Sequence, residues 1–334
     1  MARPEGKQVL ESKRKKFSTA LITGGAGFIG GHLARALRQD GTTVRSVDDL
    51  RVAPLIKPDG NLLIKRVSDL TVDDVEGVDV VYHLASDKSV PLSFEAPLQY
   101  LENLESTEHL LRLCAVVDVP RVIIASTCEV YGRARTRPTP ENEPLAPLSP
   151  YAASKVAMEM VARVHRHSAP LRNRVSVVRF FNVFGPGERP DAVIPRFCLG
   201  ALTDGLLPVE GAGTQRRDFS FIDDVVDVLR RMPMAEPVPV INIGSGFTVS
   251  VLEIAEAIKG FCPRAEVKHV GGRQEEIPEF WADTAAQRTL VARPAVHADV
   301  REGIRKTLDW WASTSLVQNT VAGGWDGEDQ PLLI

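Results

Sequence analysis

The sequence predicts an α/β fold: a doubly wound parallel sheet joined to a smaller C-terminal α/β lobe. Three observations carry this. Short apolar runs of strand length alternate with segments of helical periodicity from Ser18 to Arg179. A glycine string, Thr23-Gly24-Gly25-Ala26-Gly27-Phe28-Ile29-Gly30, separates the first such strand from the first helix. After Phe184-Gly185-Pro186-Gly187 the texture changes and prolines and glycines become dense, as expected of a separate lobe.

In order, residues 18–23 read as a buried strand, and the glycines lead into a helix over 28–38. A second strand spans 43–47 and ends at Asp48-Asp49. Residues 62–67 form a further short strand, and 78–84 an apolar run of strand length. Apolar residues recur at helical spacing over 98–117. A strand at 121–126, a helix at 150–164 and a strand at 175–179 follow. Strands alternating with helices mean a parallel sheet covered on both faces. Residues 238–243 are expected to return as a strand to the first lobe, before a helix at 249–259, a strand at 265–269 and a last helix at 300–311. The expected organisation is a basic leader over 1–17 and a first domain over 18–185 with a return segment at about 219–245. A second lobe comprises 186–218 and 246–312, and the Gly- and acid-rich tail 313–334 is expected to fray.

With 334 residues the chain can build one large or two closely joined domains. A formal net charge of −3 gives no global electrostatic case for nucleic acid or an anionic membrane. Cys114, Cys128, Cys198 and Cys262 lie far apart and form no Cys-x-x-Cys pair, and the histidines show no metal pattern, so no metal site is expected. No apolar run approaches the ~20 residues of a membrane span. The leader, with Lys13-Arg14-Lys15-Lys16, lacks the apolar region of a signal peptide. A cytoplasmic enzyme is the expectation.

Gly24, Gly27 and Gly30 let backbone turn sharply and approach a pyrophosphate without a Cβ clash. The helix start at Phe28 and Ile29 supplies free N–H groups and a favourable dipole. Asp48, at the end of the next strand, is spaced to hold an adenosine ribose through its hydroxyls. A carboxylate there repels a 2′-phosphate, which favours NAD over NADP. Asp49 reads equally as a ribose contact or a solvated turn residue.

Tyr151 and Lys155 stand four apart, on one face of a helix. A neighbouring ammonium favours the phenolate, which can take a proton from a sugar hydroxyl while a nicotinamide takes the hydride. Thr127, at the end of the 121–126 strand, is placed to hydrogen-bond the reacting hydroxyl. Ser126 reads as a loop or cofactor support. Cys128 and Glu129 add a thiol and a carboxylate that a simple dehydrogenase does not need. Glu129 is suited to removing a proton from carbon next to a carbonyl. Cys128 reads as a weak acid or a small packing residue. Cys114, Cys198, Cys262 and His83 read as structural. Arg217, Arg273 and Asn182 are candidate diphosphate ligands, since guanidinium matches phosphate oxygens bidentately.

The cradle, the Tyr151/Lys155 pair, Arg179-Phe180-Phe181-Asn182-Val183-Phe184-Gly185 and Arg217-Asp218-Phe219 together resemble the extended short-chain dehydrogenase/reductase superfamily, from about Ala20 to Trp311. The resemblance implies a Rossmann-type first domain holding NAD and a second lobe holding a nucleotide-sugar. Carried over by position, Asp69 and Leu70 would flank adenine, and Leu84, Ala85 and Ser86 the middle of the cofactor. Lys88 would lie near the cofactor phosphates and substrate, Asn103 near the substrate diphosphate, and Phe180 near nicotinamide or sugar. Val193, Arg217 and Arg273 would serve the substrate, and Pro208 and Val209 would line uridine. The family commonly forms homodimers through the helices read here at 98–117 and 150–164.

Within the superfamily, 4,6-dehydratases carry Thr-Asp-Glu, UDP-glucuronate decarboxylases resemble Thr-Ser-Glu, and simple 4-epimerases usually lack the acid pair. Thr127-Cys128-Glu129 is most similar to the UDP-N-acetylglucosamine 5,6-dehydratases of tunicamycin-type biosynthesis. So are the stretches Tyr82–Pro91, Pro150–Lys155 and Gly187–Asp191. That likeness implies oxidation at C4, loss of water across C5–C6 and return of hydride to C4, with NAD regenerated each turnover. The alternatives are a UDP-sugar 4-epimerase, a 4,6-dehydratase, a UDP-hexuronate decarboxylase and an NAD-binding regulator without turnover. Glu275-Glu276 departs from the Gly-Asp common among epimerases.

Overall fold

The computed structural model describes residues 17–58, 60–271, 277–290 and 300–323. A seven-stranded sheet runs, edge to edge, through Val240–Ile243, Val175–Phe180, Arg121–Thr127, Val80–His83, Thr19–Thr23, Thr43–Asp48 and Leu62–Ile64. Every adjacent pair is parallel. Chain order reverses between Thr19–Thr23 and Val80–His83, and the crevice beyond the carboxyl ends of strands at such a reversal is where open α/β sheets bind ligands.

Successive residues of the central strands enter opposite faces, and both are covered. Ala20, Ile22, Ile123 and Ala125 pack with Leu33 and Leu37 of the helix Phe28–Gln39 and with Val225 and Leu229 of Ile222–Arg231. Leu21, Val122 and Ile124 pack with Leu110 and Cys114 of Leu101–Val116 and with Met158 and Ala162 of Pro150–His167. This is why those strands read as unbroken apolar runs. The expected return strand is present: Val240–Ile243 extends the sheet beside Val175–Phe180.

Beyond the sheet, Leu206–Glu210 pairs in parallel with Glu266–Val270. Arg216–Arg217 lies between Val249–Ser250 and Glu279–Phe280. The helix read from 249 starts two residues later, at Val251, because Ser250 caps it and Glu253 closes a capping box. The strand read over 62–67 ends at Ile64, and Val67–Asp69 form a 3₁₀ turn instead. Residues 315–323, expected to fray, form the helix Ser315–Gly323 with Val317 buried. The leader 1–16 and the tail beyond 323 lie outside the described residues. Among the described residues no helix is long and apolar enough to cross a membrane.

Candidate active site

The glycine cradle is a packing necessity as well as a turn. A Cβ at Gly30 would stand 2.0 Å from the carbonyl oxygen of Gly24, and one at Gly24 would stand 2.7 Å from the nitrogen of Ala85. Gly24 also has φ +69°, where side chains are strained. The helix Phe28–Gln39 can therefore press its N-terminus against the first strand. Asp48 sits beside it, accepting the N–H of Ala26 at 3.1 Å and that of Leu50 at 3.0 Å. Asp49 is paired with Arg51 at 2.6 Å.

Leu84, Ala85 and Ser86 leave the strand Val80–His83 directly opposite the cradle, with the Ala85 N–H on the Thr23 hydroxyl at 3.3 Å. Asn103 anchors the next turn. Its carbonyl accepts the N–H of Asp87 at 2.9 Å and its amide donates to the Asp87 carbonyl and the Ser154 hydroxyl. With its polar atoms so engaged and 3% exposed, Asn103 shapes the 86–89 loop. Leu70 lies at the end of the 3₁₀ turn Val67–Asp69. Its side chain is buried in the core and its carbonyl accepts from His109, while Asp69 stays exposed.

Ser149 caps the helix Pro150–His167 by accepting the Ala152 N–H at 3.1 Å, and Pro150 occupies the first turn. That cap places Tyr151 at the helix start and Lys155 one turn on. Thr127 ends the strand Arg121–Thr127 and accepts the N–H of Glu129 at 3.2 Å, which turns Cys128–Tyr131 into a 3₁₀ helix. The turn sends Cys128 inward, among Tyr131, Phe181 and Phe280, and leaves Glu129 open to the cleft.

The phenol of Tyr151 brings these groups together. Burial pushes it up, a hydrogen bond from Thr127 pulls it down, and the nearby Cys128 and Glu129 push it up again. The sequence reading had the lysine lowering the phenol; burial outweighs it. Burial also lowers Lys155 itself, to about 7, with Glu159 and Asp87 opposing, and its ammonium donates to the Ala125 carbonyl at 3.0 Å. Burial raises Glu129, with Arg217 opposing. Burial, then Glu129 and Asp218, hold the Cys128 thiol well above its usual range, so it keeps its proton at neutral pH.

Arg217 thus lies within electrostatic reach of both Cys128 and Glu129, and it donates to the carbonyls of Arg216 and Ile277. Asn182 donates its amide to the Asp218 carbonyl at 3.1 Å. Phe180 is buried near the carboxyl end of its strand, and Val193 begins the helix Val193–Leu202. Pro208 and Val209 face opposite ways. Val209 is wholly buried in the core, so of the two only the half-buried Pro208 turns its side chain outward. Arg273 and Glu275-Glu276 lie outside the described residues.

Ser126 donates to Glu159, which is clamped by Arg179, so Ser126 supports the strand end. His83 is buried between the hydroxyls of Thr23 and Thr107, at 2.7 and 3.0 Å. Two residues of the Gly187–Asp191 stretch were given no role by the sequence reading. Glu188 interacts with Lys88, and Arg189 is near enough to Lys88 and Tyr151 to lower both. Their signal was the likeness of Gly187–Asp191 itself, which named no role for either.

A family model described as the NAD dependent epimerase/dehydratase family matches residues 20–244. The chain belongs to that family. A solved structure of TunA, an NAD dependent NDP-hexosamine 5,6-dehydratase involved in tunicamycin biosynthesis, is 53% identical, with a TM-score of 0.85 over 89% of this chain and 99% of that one. MoeE5, solved in complex with UDP-glucose and NAD, is 31% identical, with a TM-score of 0.79 over 88% of this chain and 98% of the other. The UDP-glucuronate 4-epimerase of Thermodesulfobacterium geofontis is 30% identical, covering 87% of this chain and 95% of its own. The cofactor is NAD. The residues fit it: the close-packed cradle leaves helix N–H groups for a pyrophosphate, and the Asp48 carboxylate closes the ribose end.

Proposed function

We propose that the protein is a nucleotide-sugar 5,6-dehydratase acting on UDP-N-acetylglucosamine. One observation carries this reading: a carboxylate open to the cleft and a thiol that keeps its proton both act on the phenol of Tyr151. Bound NAD would supply the hydride acceptor and donor at C4. Tyr151 takes the C4 hydroxyl proton in its phenolate form, which the hydrogen bond from Thr127 favours against burial, and later returns it. The C4 ketone acidifies C5–H, and Glu129 removes that proton. Cys128 S–H gives a proton to the departing C6 hydroxyl and regains one from Glu129, so water leaves and both groups are restored. The product is a UDP-6-deoxy-N-acetylhexosamine 5,6-ene. The 53% identity to an NDP-hexosamine 5,6-dehydratase supports a 5,6-elimination. The 4-epimerase relative supports a second reading, epimerisation at C4, which uses Tyr151, Thr127 and Lys155 without the acid pair.

Incubation with UDP-N-acetylglucosamine in deuterated water, read by mass spectrometry and proton NMR, separates the readings. Loss of water with vinyl signals is the expected result. A methyl doublet means the 4,6 product, and unchanged mass with altered C4 coupling means epimerisation; either overturns the proposal. Glu129→Gln should slow C5 exchange by ~10²–10⁴. Cys128→Ala should keep C5 exchange while slowing elimination; elimination at the wild-type rate would make Cys128 a spacer.

A further inference from the structure

Glu188 is a half-buried residue with one buried carboxylate oxygen, Oε2, that the proposed reaction does not use. It lies in the loop between Gly185 and the helix Val193–Leu202. This loop crosses the entrance of the cradle helix, with the Pro186 carbonyl 2.8 Å from His32 Nε2. It is seated tightly: Gly187 has φ +82°, and a Cβ there would stand 2.3 Å from Ile56 Cδ1. Oε2 of Glu188 is buried and has no hydrogen-bond partner among the described residues.

Other buried carboxylates of the protein are hydrogen-bonded. Glu159 accepts from Arg179 and Ser126, and Asp218 accepts from Ser245, Gly246 and Ala282. A buried anion without a hydrogen bond is costly, and such a group takes up a proton instead. Lys88 and Arg189 are its charged neighbours, with Asp191 beyond, 3.1 Å from Arg189. Two cations beside a carboxyl whose buried Oε2 has no hydrogen-bond partner among the described residues describe a site for an anion with several oxygens.

We propose that Glu188, in its acid form, is a diphosphate-binding residue whose O–H donates to a phosphate oxygen of a nucleotide held between Lys88 and Arg189. An ionised carboxylate there would repel the ligand; a carboxylic acid gives it a donor without adding charge. Burial raises Glu188, against the pull of Lys88 and Arg189, and it lowers Lys88. The groups facing Glu188 are Lys88 from the 84–89 loop, Arg189 and Asp191 from its own loop, and Cys198 from the following helix; His32 lies on the cradle helix beneath the loop. The inference rests on the nucleotide-sugar reading for its ligand class, and not on which elimination follows.

The diphosphate belongs either to the nucleotide-sugar or to the dinucleotide, and two titrations distinguish them. UDP-glucose is titrated calorimetrically into the NAD-loaded protein from about pH 6 to about pH 9, and bound NAD is exchanged against NADH over the same range. Wild-type affinity for one of the two should fall with rising pH, approaching about tenfold per unit once Glu188 ionises. Glu188→Gln, which keeps a donor and cannot ionise, should bind at the wild-type low-pH strength with that limb removed. Loss of the limb for UDP-glucose assigns the sugar nucleotide; loss for NAD exchange assigns the dinucleotide. A limb of unchanged size in Glu188→Gln would belong to Lys88 and overturn the proposal. So would affinity that rises with pH, or failure of a folded Glu188→Gln protein to bind either nucleotide. None of these binding results depends on the reaction product, so the two readings fail separately.

Discussion

Arg179→Met should be among the most damaging single changes outside the cleft. Arg179 meets Glu159 through two bonds, at 2.9 and 2.6 Å, with side chains 5% and 3% exposed. It also donates to the Tyr131 hydroxyl and the Glu141 carbonyl, both at 2.9 Å, and lies over the Tyr131 ring. Removing it leaves Glu159 charged and buried, with the Ser126 hydroxyl as its one remaining hydrogen-bond donor among the described residues. Breaking a buried pair in this way costs ~3–5 kcal/mol. An unfolding entropy of ~2.1 cal/mol/K per residue over the 334 residues gives about 0.7 kcal/mol/K, so Tm should fall by about 4–7 °C. The double variant Arg179→Met/Glu159→Met removes the stranded charge and should recover a large part of that loss. Differential scanning calorimetry of both variants decides it. A drop under about 1 °C in Arg179→Met, or a double variant no better than the single one, would refute the claim that the stranded charge dominates.

Gly30→Ala forces a Cβ onto the Gly24 carbonyl, so the cradle must open. NAD released on denaturing the purified protein should fall well below one per chain, and stability should drop by ~1–3 kcal/mol; full occupancy with wild-type Tm would count against the close-packing argument. The helices Leu101–Val116 and Pro150–His167 pack together while Leu98, Leu101, Met160 and Val164 stay exposed. We propose that this apolar face pairs two copies of the chain, as the family resemblance implies. Val164→Asp should then halve the mass seen in sedimentation, and a monomeric wild type would remove the idea.

What was legible in the sequence was what is local or periodic. The central strands are buried on both faces, so they appear as apolar runs whatever their neighbours are. The Tyr151/Lys155 spacing and the glycine string work through one helix turn and one tight approach. What could not be read depends on tertiary parity and depth. Pro208 and Val209 are adjacent, but only packing against the Val251–Phe261 helix decides which faces the core. The strand read over 62–67 stops three residues earlier, at Ile64, because Val67–Asp69 turn away as a 3₁₀ helix and bury Val67, a turn that no local pattern announced. Glu188 and Arg189 come to the site only because the loop folds back over His32, a contact 154 residues distant in sequence.

Depth also bears on the chemistry. Reading the Tyr151/Lys155 pair as a local ion effect predicts a phenolate lowered by its lysine, whereas burial moves the two toward neutrality: the phenol rises and the ammonium falls to about 7. The same desolvation acts on Cys128 and Glu129, and it acts unequally. Arg217 offsets burial at both, but Cys128 is wrapped in aromatic side chains with the Glu129 and Asp218 carboxylates raising it further, while Glu129 opens to the cleft. The carboxylate is therefore the member that can lose its proton, and the thiol the member that holds one. An elimination needs that division, because one group must accept from C5 while its neighbour donates to the leaving oxygen. In the proposed reaction the acid is a thiol held far above neutrality. Proton transfer to the leaving group is then the demanding step, and slow departure of the C6 hydroxyl would let C5 exchange run ahead of alkene formation in the wild type itself.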